Sequence, residues 1–277
     1  MSTIKEICKK IKQELNIMTS DEKPVPEPLL KTEDIVPEHT WIKSGVTCLA
    51  SRPSVGKSAL AIDFILDAAL REKKKVVVFS LELSSRQFVY RMLRRISGIY
   101  GELHMEDKPK LESAISYLEK LNIIITDTPG ISIQETETEL QAMKDVGMVV
   151  IDYIQLMCAG DNREIKNRKE EVRWIAKNLT RISQERQIPI LILSQLTREI
   201  DAREDKRPRL EDLHRDLQPE DVDQVIFLYR DASYRKKEDS DQIVDDSAEI
   251  ILAKSKSYSP KTIQVWFDKV PLCFRKK

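Results

Sequence analysis

Apolar and polar positions change rhythm twice along this chain. Ile4, Ile7, Cys8, Ile11 and Leu15 recur at helical spacing with lysines and glutamates between them, which predicts an amphipathic helix within residues 1–19. Pro24, Pro26, Pro28 and Pro37 follow. Proline fixes φ and removes a backbone donor, so 20–40 reads as an extended linker. It tethers the helix at a distance from the body, with two destinations open: its own domain or a neighbouring subunit. From about residue 46 short runs rich in valine and isoleucine alternate with helical stretches. The runs at 46–50, 76–81, 123–125, 148–151 and 188–193 are nearly continuously apolar, as strands buried on both faces should be. Helical patterns lie between them at 58–70, 86–96, 111–121, 133–144 and 170–186. That alternation predicts an α/β body over 41–277 with a mostly parallel sheet flanked by helices. After Gln195 the runs at 225–229, 249–253 and 262–267 have no long helix between them, and are expected to extend the sheet as antiparallel strands.

Composition narrows the picture. With 277 residues and 41% apolar positions, one large domain with a small appendage can bury a full core. Lysine and arginine number 46, and so do aspartate and glutamate, so any contact with nucleic acid must come from local clusters and not from net charge. Cys8, Cys48, Cys158 and Cys273 show no CxxC pairing and only three histidines are present, which argues against a zinc site or a disulfide framework. No apolar run approaches the ~20 residues of a membrane span, and residues 1–15 lack a signal-peptide core, so a cytoplasmic protein without membrane contact is expected.

The sharpest chemical signal is Arg52-Pro53-Ser54-Val55-Gly56-Lys57-Ser58, between a predicted strand and a predicted helix. A phosphate-binding loop needs backbone N–H groups turned inward at a helix N-terminus. Gly56 permits close approach, Lys57 reaches the β- and γ-phosphates, and the Ser58 hydroxyl suits Mg²⁺. Ser51 stands where the common pattern has its first glycine. Met148-Val149-Val150-Ile151-Asp152 fits an apolar strand ending in a metal-supporting carboxylate. Glu82 follows the second strand, at the sheet edge shared with the loop. It can orient and deprotonate an attacking water, and an acid there also suits a helix start. Gln195 ends a later strand, where an amide can sense a γ-phosphate or serve only as a polar strand end.

These segments, with Phe79 to Ser84, Ile151 to Leu156, Leu193 to Leu196, Lys206-Arg207-Pro208, Asp212-Leu213 and Tyr229-Arg230-Asp231, resemble the ordered motifs of the DnaB-type replicative helicase C-terminal domain. The likeness runs from about 46 to 274. It implies a RecA-like P-loop domain that hydrolyses ATP with Mg²⁺, forms a hexameric ring and translocates on single-stranded DNA. A replication initiator, loader or primase would be its protein partner. It also implies roles: Glu82 as catalytic glutamate, Asp152 as Walker B acid, Gln195 as γ-phosphate sensor. The nucleotide contacts would be Arg52 to Ser58 with Ala59, Asp152 and Arg230. A family lysine and arginine that reach the neighbouring subunit's nucleotide align with Lys254 and Lys256, so the finger here is lysine. That change loses a planar fork. Two further departures stand out. The segment 214–218 is shortened, leaving open whether His214 or Arg215 takes a family arginine's place. In addition, only a short helix and linker precede the motor where the family carries a primase-interacting domain.

The loops at 158–170 and 198–212 correspond to the family's pore loops. They offer Arg163, Arg168 and Lys169, then Arg203, Lys206 and Arg207, alongside acids and without aromatics. Such loops would contact phosphates irrespective of base sequence, or form a solvated mixed-charge surface. Two functions are therefore expected: a helicase or translocase motor, or a regulatory or scaffold ATPase that binds nucleotide without unwinding.

Overall fold

The branched apolar runs that form the parallel strands are buried along nearly their whole length, as coverage on both faces requires. The computed structural model describes residues 1–15, 45–71, 74–99, 101, 104–160, 165–213, 217–234, 246–268 and 273–277. Strands β1 (Ser2–Thr3), β2 (Gly45–Ser51), β3 (Lys75–Ser80), β4 (Ile123–Thr126), β5 (Val146–Asp152), β6 (Pro189–Gln195), β7 (Gln224–Tyr229), β8 (Ser247–Ser255), β9 (Lys261–Asp268) and β10 (Cys273–Lys276) form one sheet. Its order is β1-β4-β3-β5-β6-β2-β7-β8-β9-β10. Helices α2 (Lys57–Arg71), α3 (Ser85–Ser97) and α4 (Lys108–Leu118) pack with α1 (Ile4–Glu14) over one cluster of buried side chains. Helices α5 (Ile133–Gln141) and α6 (Arg168–Arg186) cover the other. Parallel pairing runs unbroken from β4 through β3, β5, β6 and β2 to β7.

Three expectations change. The run at 225–229 is not purely antiparallel: β7 lies parallel to β2, with Thr47 opposite Gln224, and antiparallel to β8. Among the described residues between β6 and β7 only 3-10 turns occur, with no long crossover helix, and β7 repeats the direction of β2. The helix expected at 133–144 stops at Gln141, where Arg186 reaches across and donates to the freed carbonyls of Leu140 (2.8 Å) and Met143 (3.3 Å). The N-terminal helix lies on the body and does not stand off it. Thr3 and Glu6 form a capping box, Ile4, Ile7, Cys8 and Ile11 are buried, and Lys12–Glu119 (2.7 Å) and Arg86–Glu14 (2.5 Å) tie it to α4 and α3. Residues 2–3 add a short antiparallel strand at the β4 edge. The proline-rich segment 20–40 falls outside the described residues, as do Arg163, His214 and Arg215.

Parallel strands aim their C-terminal ends at one edge. β2, β3, β5 and β6 end there, and Ser80 pairs with Asp152 while Ser51 pairs with Gln195. The sheet thus delivers the four predicted chemical segments to a common rim.

Candidate nucleotide site

The loop after β2 is built by conformation as much as by side chains. Ser54 has φ 63° and Gly56 φ 118°, the left-handed side of backbone space that a tight inward turn requires. Arg52 anchors the loop's near arm, pairing with Asp201 at 2.7 Å and donating to the Leu196 carbonyl at 3.3 Å. Pro53 and Ser54 are exposed at the tip, Val55 is buried, and Gly56, Ser58 and Ala59 are partly buried around the start of α2.

Lys57 is buried, its ammonium donating to the Ser194 carbonyl at 3.2 Å and lying 5.4 Å from the centroid of the Tyr153 ring. Burial lowers its pKa, and the charges of Asp152 and Glu82 work against that shift. Ser58 Oγ donates to Asp152 Oδ2 at 3.2 Å. Asp152 is only 2% exposed and its Oδ1 has no hydrogen-bond partner. Burial raises its pKa, opposed first by Lys57 and then by the Ser58 hydrogen bond. Glu82 is exposed on the same rim, two residues past β3, and its charge reaches Lys57, Asp152 and Tyr153. Gln195 is half-buried beside Ser51. Its neighbour Ser194 accepts a hydrogen bond at Oγ from Gln155 Nε2 at 2.8 Å.

The sequence reading missed the loop's floor. Phe274 and Phe267 are buried, with ring centroids 4.9 Å apart. A methyl group added at Gly56 would meet Phe274 Cζ at 2.9 Å. Arg230 stacks 4.0 Å over Phe267 and donates to the Ser54 carbonyl at 3.3 Å. Its Nη1 is buried without a partner, and burial lowers its pKa. Nothing in the spacing of Phe267 or Phe274 announced this role, because β9 and β10 are brought beneath the loop only by the completed sheet.

Lys254, on β8, and Lys256, one residue beyond it, lie at the rim of the sheet opposite the loop. Lys254 Nζ donates to the carbonyls of Pro219 (2.5 Å) and Val222 (2.7 Å), while Lys256 pairs with Asp223. Asp223 also accepts the Val46 N–H at 2.7 Å, at the opposite end of β2 from the loop. A strand of that length separates them from their own chain's phosphate loop by roughly 20 Å. Several of the pore-loop cations are engaged within the chain. Arg168 donates to the carbonyls of Gln155 (2.7 Å) and Met157 (2.9 Å) and pairs with Glu171. Arg203 pairs with Asp212 at 2.7 Å, and Arg207 with Glu249 at 2.7 Å above the Tyr229 ring. Lys169 is exposed and Lys206 half-buried.

A phosphate loop and buried acid at the carboxyl edge of a mostly parallel sheet define a RecA-like P-loop domain. The family model of the DnaB-like helicase C terminal domain matches residues 39–276, and the chain belongs to that family. The replicative DNA helicase DnaB of Geobacillus stearothermophilus is 37% identical over 237 residues, covering 82% of this chain and 51% of that protein. The chain therefore spans about half the length of this relative. One solved ATPase domain superposes with a TM-score of 0.78 at 26% identity, covering 100% of this chain and 99% of that one. A DnaB-like replicative helicase, solved with its interactions with primase, gives 0.77 at 26% identity, covering 97% of this chain and 67% of that one.

Proposed function

We propose that this chain is the ATP-hydrolysing motor of a DNA helicase or translocase that works on single-stranded DNA as a ring, in the cytoplasm. The observation that carries the reading is the convergence of Lys57, Ser58, Asp152 and Glu82 on one rim. Membership of the family and the 37% identity to a replicative helicase support it. No helix among the described residues is long and apolar enough to cross a membrane.

The residues present fit a nucleotide with its divalent cation. Asp152 Oδ1 is a buried carboxylate oxygen lacking any partner, beside a serine hydroxyl, which is the oxygen chemistry a hard cation takes. Ser58 and Asp152 would hold Mg²⁺, whose charge neutralises the β- and γ-phosphate oxygens when bound. The inward-turned loop from Arg52 to Ala59 would cradle the phosphates. Lys57, already desolvated, would exchange its Ser194 carbonyl contact for phosphate oxygens. Glu82 would take the proton of the attacking water, exposed as it must be to meet that water. Gln195, adjacent to Ser51, would register the γ-phosphate and pass its presence to the loop that begins at Leu196. Arg230 would support the loop from beneath.

Lys254 and Lys256 lie too far from their own loop to serve it, which is why a finger role for them requires a second subunit. Lys169 and Lys206, with Arg163, would supply phosphate contacts to DNA. Arg168, Arg203 and Arg207 would also have to exchange internal partners to do so. A primase, initiator or loader is the protein partner the resemblance points to. A regulatory ATPase without unwinding is the second reading, favoured by the lysine finger and its pairing with Asp223.

Turnover of ATP should rise on adding single-stranded DNA, binding should weaken with salt irrespective of base sequence, and a forked duplex should be unwound. Stimulated turnover without unwinding selects the regulatory reading. Absence of turnover under every condition refutes both.

A further inference from the structure

We propose that Asp63 and Arg95 form a positioning pair for hydrolysis, locking the helix that presents Lys57 and Ser58 to the helix that follows Glu82. The inference rests on the reading of Glu82 as the base given above. Asp63 lies on α2, two turns inside from Lys57, and Arg95 lies near the end of α3. Arg95 Nε donates to Asp63 Oδ1 at 2.6 Å, and both side chains are buried, Asp63 completely.

The pair is poorly explained as a stabiliser. Burying two charges costs solvation that mutual attraction only partly recovers, and apolar residues of the same size often serve as well or better. The Asp63 Oδ2 oxygen is moreover buried without a hydrogen-bond partner. What an ion pair supplies and an apolar contact does not is direction. A Nε–H aimed at one carboxylate oxygen fixes the rotation and offset of α3 on α2 in a way that Met against Leu would not.

The geometry gives that rotation a consequence at the rim. α3 begins at Ser85, whose N–H donates to Asp127 at 2.7 Å, and Ser84 and Gln87 close a capping box there. Leu81 N–H donates to the Asp152 carbonyl at 2.8 Å, and Ser80 Oγ to the Leu83 carbonyl at 2.7 Å. Glu82 is thus suspended between a strand end anchored on the acid's strand and a helix anchored at its far end by Arg95. The same aspartate meets the Phe274 backbone, whose ring lies under Gly56. One carboxylate therefore touches the two supports of the site: the helix leading to the glutamate and the floor of the phosphate loop. A displacement of ~1 Å at a reacting group can cost ~10²-fold in rate.

The test uses the full chain. Asp63→Leu with Arg95→Met replaces the pair by apolar side chains of comparable size. We expect the thermal midpoint without nucleotide, read above pH 7, to be no lower than that of the unaltered chain, and the Kd for a fluorescent N-methylanthraniloyl ATP to change less than about threefold. We expect kcat to fall ~10-fold or more. Adding Glu82→Gln to this background should then cost much less than it does in the unaltered chain, because a misplaced glutamate has less to lose. Should the double variant fail to fold, Arg95→Met alone applies the same kinetic test, since the remaining carboxyl can take up a proton and stay buried without charge. A kcat within twofold of the unaltered chain, or an undiminished effect of Glu82→Gln, overturns the positioning role. Absence of hydrolysis by the unaltered chain instead overturns the reading of the site on which it rests.

Discussion

The contact between Gly56 and Phe274 can be measured as a coupling. Replacing Gly56 by alanine imposes two separate costs. At φ 118° an L-residue is strained by about 1–3 kcal/mol. The new methyl would sit 2.9 Å from Phe274 Cζ and 3.3 Å from Phe267 Cε2, an overlap that costs about 1–3 kcal/mol as overpacking. Together they come to roughly 2–6 kcal/mol, a large part of the ~5–15 kcal/mol that holds a typical domain together. For a chain of this size each kcal/mol lowers the midpoint by about 2–4 °C, so Gly56→Ala should lower it by roughly 5–20 °C without nucleotide. The backbone part is independent of Phe274, whereas the overlap is not. Phe274→Leu destabilises the parent, but should do so by about 1–3 kcal/mol less when Gly56 is already alanine. Chemical denaturation of the four proteins supplies the cycle. Additivity within about 0.5 kcal/mol would show that the ring is not the floor of the loop.

Glu82→Gln should leave nucleotide affinity intact and slow hydrolysis by roughly 10²-fold, and turnover that survives would reduce Glu82 to a structural acid. Mixing inactive Lys57→Ala with Lys256→Ala chains should partly restore activity, because some interfaces then pair a sound loop with a sound finger. Hydrolysis unaffected by Lys256→Ala alone would remove the finger. The Asp63 carboxyl, pushed up to about 7 by burial against the pull of Arg95 and the Phe274 backbone, faces Arg95 from α3 and Cys273 from β10. Between about pH 4 and 7 the folded state holds a proton the unfolded chain has lost, so this group's contribution to stability declines as pH rises through that window. Thermal midpoints of the unaltered chain should show this slope and Asp63→Leu/Arg95→Met should lack it. Equal slopes would place the titration elsewhere.

Much of the candidate site was legible because its residues are local. Lys57 and Ser58 open the helix that follows a buried strand, and Asp152 closes an apolar run. Periodicity and position therefore locate them before any tertiary contact forms. Gln195 and Glu82 followed from the rule that parallel strands share a carboxyl edge. What escaped was non-local. The direction of β7 depends on how 196–223 returns, which no pattern of apolar residues encodes. The partners of Arg203 and Arg207 come from Asp212 and Glu249, one of them on a strand formed 42 residues later, so which cations of this mixed-charge loop are already paired could not be read from the loop itself. Phe274 and the Asp63–Arg95 pair read as ordinary core and ordinary helix charges until the last strands are laid beneath α2.

That arrangement has a bearing on how the chain is made. The phosphate loop is translated before the aromatic ring that supports Gly56, which follows more than two hundred residues later. A nascent chain carrying only the first strands has the motif but not its support. A closure spanning more than two hundred residues must be completed before the loop rests on its aromatic floor. Nucleotide capture would thereby wait until β10 has joined the sheet, and a bound ligand would then stabilise the assembled sheet alone. Ribosome-bound fragments truncated before β10 should accordingly hold nucleotide poorly despite an intact loop sequence. Tight binding would in that case report the docking of β10 as much as it reports the motif.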